Sequence, residues 1–167
     1  MAAIIYMVLI LLVFIFQSFF SGSFIIEGVK PDLLLAIVVI IAVNHGKRKG
    51  ALSGLVIGLL EDLFFGGLIG VNAISKLLTG LAFGFLKKYI YQYIFLLTPI
   101  FVFLATIFNQ LIILALLNQV LLEISIGQLF NELIFPLGAY NAVFSLPIYC
   151  LIYIIDFYIN RRRSSVK

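Results

Sequence analysis

The chain has 167 residues, 64% hydrophobic and 11% charged, whereas roughly 25% of residues are charged in an ordinary water-soluble domain. Eleven Lys and Arg with seven Asp and Glu cannot coat a globule of this size, so water is not its main solvent. One Cys and one His exclude an internal disulfide framework and a His/Cys metal cluster; the net charge of +4 is spread in short basic clusters between apolar runs, a pattern of membrane orientation and not of nucleic-acid binding.

The first apolar run, residues 2–20, carries no charge and as a helix covers about 28 Å, close to a bilayer core. Ser21, Gly22 and Ser23 after it raise the rival reading of a signal peptide, but no basic segment precedes the run, and it is long for a signal. Further spans are expected at 31–46, 50–67, 71–86, 93–117 and 133–158. The second is short, so it needs Pro31 and Asp32 as its first turn, where Pro fits and a carboxylate meets the positive end of the helix dipole. Residues 118–132 read as an interfacial stretch. The whole is expected to be one all-α integral membrane domain over residues 1–167, with six transmembrane helices.

Charge orients it. With the N-terminus inside, Lys47, Arg48, Lys49, Lys87, Lys88, Arg161, Arg162, Arg163 and Lys167 all fall on one side, which makes that side and both termini cytoplasmic. Glu27, Asp32, Glu61, Asp62, Glu123 and Glu132 fall toward the other side, and only Asp156 lies inside. Tyr6, Tyr89, Tyr91, Tyr93, Tyr149, Tyr153 and Tyr158 gather near the inner interface, where a ring with a polar tip is stable.

Several residues inside the spans need a reason to be there. Gly50, Gly54 and Gly58 lie along one face of span three, and Gly80 with Gly84 repeat the device in span four; such faces admit a close helix, either the chain's own or a partner's. Asp62 is about 20 Å from the basic turn and Lys76 about 17 Å from Lys87, counted as helix. These matched depths in consecutive antiparallel spans lead us to expect an ion pair of Lys76 with Glu61 or Asp62, because a lone charge there costs on the order of 3 kcal/mol. Pro99, Pro136 and Pro147 are expected to kink spans five and six, and Asn109 and Gln110 to bond across helices. His45 is expected to be solvated and Cys150 buried. Hydrolase, metalloprotease and phosphate-loop signatures are absent from the sequence. Glu61 and Asp62, about 100° apart on a helix, suit neither a shared proton nor one metal, so no enzyme is expected.

The run Lys30-Pro31-Asp32-Leu33-Leu34-Leu35, the basic turn, the stretch from Gly50 to Phe64, and Gly70-Val71-Asn72-Ala73 with Lys76 resemble the MreD family of rod shape-determining proteins. Pro31, Asp32, Gly54, Gly58, Asp62, Gly70, Asn72 and Ala73 match its recurrent positions. The resemblance implies a non-enzymatic scaffold of the cell-elongation machinery in the bacterial cytoplasmic membrane, without a cofactor. It implies single-span MreC as direct partner, with MreB, RodA and the cell-wall transpeptidase reached indirectly and membrane lipid all around. The family is also similar in architecture to the substrate-binding subunits of vitamin uptake systems, and this supplies the alternative: a small-molecule uptake subunit with Asp32, Glu61, Asp62, Asn72 and Lys76 as ligands. For the scaffold, the face of Gly54 and Gly58 is the expected docking surface, held in shape by the region of Asp62, Asn72 and Lys76, which with Glu61 make up the expected intramembrane polar cluster.

Overall fold

The computed structural model describes residues 2–23, 30–65, 68–89, 94–117 and 130–164. Six α-helices carry the described residues: α1 (Ala2–Ser23), α2 (Leu33–His45), α3 (Lys47–Phe65), α4 (Val71–Gly84), α5 (Ile94–Leu116) and α6 (Phe135–Ser164). A 3-10 turn, Leu86–Lys88, follows α4, and a π turn, Phe130–Ile134, leads into α6. The helices fall on the six apolar segments. Glu27, Tyr91, Tyr93, Glu123, Lys167 and most of the expected interfacial stretch lie outside the described residues.

Of these, Phe95–Leu116 and the π turn with α6, Phe130–Ile159, are long and apolar enough to cross a membrane by length and composition. Helix α2 has only 13 residues, about 20 Å, and every residue from Leu33 to Val43 is buried. A helix that is apolar on all sides belongs inside other helices, and α2 packs against all five. It is the axis of the bundle, so its length need not match that of the outer helices.

Two local expectations change. Pro31 stands before α2 and Asp32 is its N-cap, so neither is in the first turn. The basic cluster is likewise not a loop: Lys47 begins α3, and a single glycine, Gly46 with φ 93°, separates it from α2. Glycine reaches that left-handed backbone without a side-chain clash, its N–H closes α2 on the Ala42 carbonyl at 2.7 Å, and its own carbonyl accepts from Gly50 at 2.9 Å. A cation at a helix N-terminus is mildly unfavourable; Lys47 is offset by the Phe85 ring, 4.6 Å from its Nζ.

The outside is as apolar as the inside. Leu52, Leu63, Phe64, Leu96, Leu104, Val143 and Leu151 are among many large side chains left exposed, far more than a water-exposed surface carries. In hydrocarbon such a surface costs nothing, but apolar burial between helices then gains little, and close packing with polar contacts must hold the bundle together.

Candidate functional site

Close packing is concentrated between α3 and α4, the most intimately packed pair. A Cβ on Gly54 would overlap the backbone carbonyl of Lys76, one on Gly58 would meet Asn72 and Ala73, one on Gly80 would strike Gly50, and one on Gly84 would strike Lys47. Gly50 also faces Ala42 of α2. The glycine face is therefore filled by the chain's own helices. A partner helix has no room at Gly54 and Gly58, and the expectation that it docks there is corrected.

Above this seam lies a buried polar network. Lys76 is fully buried; its ammonium bonds Glu61 at 2.8 Å and also Asp32. Its partners are thus one of the two expected carboxylates and one from another helix. Asp62 does something else: its Oδ2 accepts from the backbone N–H of Gly70 at 2.8 Å and Ala73 at 3.1 Å, while Oδ1 accepts from the backbone and side-chain nitrogens of Asn72 at 3.2 and 2.9 Å. It caps α4 from the end of α3, supplying a negative charge and acceptors to N–H groups that have no partner within the helix. The 100° between neighbouring residues on a helix sends Glu61 toward the axis and Asp62 toward the turn.

Asp32 is the junction. Its Oδ1 caps α2 by accepting from Leu35 at 2.8 Å, its Oδ2 takes Lys76, and its backbone N–H donates to Asn141 of α6 at 2.7 Å. Gln17 of α1 accepts from Leu33 and Leu34 at 3.0 and 3.3 Å, so side chains from two other helices and its own N-cap satisfy the start of α2. Asn141 also donates to Thr106 of α5 at 3.0 Å. Nearby, Thr79 of α4 donates to Asn109 of α5 at 3.4 Å, which gives Asn109 its expected contact across helices. Gln17, Thr106 and Asn141 carry no expectation from sequence; each is an uncharged polar residue within a largely apolar run, a signal that a cross-helix bond is needed.

The other end of α2 is tied as well. His45 Nε2 lies 3.3 Å from Asp156 Oδ1, which also accepts from the Tyr6 hydroxyl at 2.5 Å. His45 is thus partnered and only partly exposed, because Asp156 of α6 returns to its level. Cys150 is exposed, against the expectation of a buried residue, since it faces outward from α6. Pro99 and Pro147 lie inside α5 and α6, and Pro136 stands in the first turn of α6.

Chemically the upper network is a clamp. One cation is held by two carboxylates, a third carboxylate is saturated by four donors, and all six helices contribute a group. The residues that the uptake reading assigns to a ligand are engaged with one another.

A family model described as rod shape-determining protein MreD matches residues 1–158. No curated protein and no solved structure matches the chain.

Proposed function

This chain belongs to the MreD family of rod shape-determining proteins, and from that premise we propose that it is a multi-pass, non-enzymatic scaffold of the bacterial cell-elongation machinery. It crosses the cytoplasmic membrane six times with both termini inside, and it binds the single-span protein MreC, through which MreB, RodA and the transpeptidase are reached. The observation that carries this reading, beyond the family, is the clamp: six helices fastened near one level by Gln17, Asp32, Glu61, Lys76, Thr106 and Asn141 make a stiff body that keeps a fixed outer surface in front of a partner. Polar groups spent on one another favour a scaffold over an uptake subunit. Since the glycine face is filled from within, the partner helix meets an apolar outer face.

The test is co-expression with MreC. Stable co-purification, together with rounding of rod cells on depletion and rescue by the intact chain, is the expected result; tight retention of a small molecule without MreC would favour uptake instead. The topology has its own test, since a single cysteine at Arg48 in a Cys150→Ser background should react with an impermeant thiol reagent only after the inner face is opened.

A further inference from the structure

The opposite end of the bundle from the clamp is open on one side. Between α1 and α3, over Ile41 of α2, runs a groove of about 620 Å³. Its walls are Leu11 on α1 and Leu52, Val56 and Leu60 on α3, and its polar lining is confined to one end, at Tyr6, His45, Lys49 and Ser53. Phe14 on α1 crosses to Phe64 and Phe65 at the far end of α3, with ring centroids 5.3 and 5.0 Å away, and so closes the groove beyond Leu60.

Length and charge select the occupant. From Lys49 to Leu60 the groove descends eleven residues of α3, about 16 Å, which is roughly half a bilayer core of about 30 Å. A membrane helix needs the full depth; one leaflet's acyl chain needs half. The open end is cationic: Lys49 lines it and Arg48 precedes it in the chain, while Asp156, the acidic group at this level among the described residues, is bonded to His45 and Tyr6 and lies within electrostatic reach of Lys49. We propose that this groove is a binding site for an anionic phospholipid, with an acyl chain between α1 and α3 and its phosphate at Lys49. Helix α1 would then be seated on the bundle partly through the lipid. The assignment of that lipid to the cytoplasmic leaflet rests on the topology proposed above, whereas binding itself does not, so the two fail separately.

The experiment is native mass spectrometry of the purified full chain in detergent, titrated with palmitoyl-oleoyl phosphatidylglycerol and, separately, with the matching phosphatidylcholine. One phosphatidylglycerol should be retained at least about fivefold better than phosphatidylcholine, the scale of one Lys–phosphate contact. Lys49→Glu should erase that preference, Val56→Trp should abolish the retained lipid by filling the groove, and Val143→Trp on α6 should change nothing. Equal retention of the two lipids, unaltered preference in Lys49→Glu, retention by Val56→Trp or loss in Val143→Trp would overturn the proposal. If Val56→Trp fails to fold, a photo-crosslinker at Leu52 in cells decides: a phosphatidylglycerol adduct enriched over the same probe at Val143 supports the site, and an adduct with another polypeptide, or no enrichment, refutes it.

Discussion

Replacing Lys76 with Met keeps all but the last atom of the side chain's length and removes the cation between Asp32 and Glu61. Both carboxylates then face each other, with side chains only 19% and 7% exposed. Breaking a buried pair by removing one partner costs about 3–5 kcal/mol, and a chain of this size loses roughly 2–4 °C of Tm per kcal/mol, so Lys76→Met should melt about 6–20 °C lower. Adding Glu61→Gln removes the more buried of the stranded charges and should recover part of the loss, a coupling of about 1–3 kcal/mol in a double-mutant cycle. Asp62→Asn in the same background should instead add its own cost, because Asp62 is bound to the α4 backbone and not to Lys76. Melting followed by fluorescence-detected size exclusion in detergent gives all four corners of the cycle. A Lys76→Met variant melting within about 2 °C of the parent, or stronger coupling to Asp62 than to Glu61, would refute the reasoning.

Gly54→Ala drives a methyl into the backbone of Lys76, whereas Gly138→Ala meets only the Phe103 ring, 2.8 Å away, which can turn; the first should lose at least about 1–3 kcal/mol and the second less, and equal melting losses would contradict the packing described. Asp62→Ala leaves the N–H groups of Gly70, Asn72 and Ala73 without their acceptor, so it should cost about 1–3 kcal/mol and speed amide exchange at Asn72 and Ala73, while Asp62→Asn keeps an acceptor and should cost less. Asn141→Leu strands the Asp32 N–H and takes one donor from Thr106, whose hydroxyl keeps the Val102 carbonyl as its acceptor; a similar loss is expected in the melt, a cycle with Thr106→Val should show coupling between the two, and strict additivity would show that they do not share a bond.

Chain order alone decided the solvent, the segments that become helices and the side on which the cations gather, because each is set by composition within a run and by a fixed rise per residue. It also decided that Lys76 must find a carboxylate, since a charge at that depth is not left alone, and that α3 and α4 approach closely, since glycines four apart make one flat face. What it did not decide is which carboxylate. Glu61 and Asp62 lie at similar depth, and only the rotation of α3 against α2 and α4 turns the first toward Lys76 and the second toward the α4 backbone. Asp32, 44 residues before Lys76 in the chain, reaches it because α2 is the axis of the bundle, and Asn141 reaches Asp32 from 109 residues away for the same reason. Spacing along a helix fixes a residue's height and direction, but its neighbour is fixed by the order in which helices surround the centre. That order is settled by the sum of all contacts and is written in no single stretch of sequence.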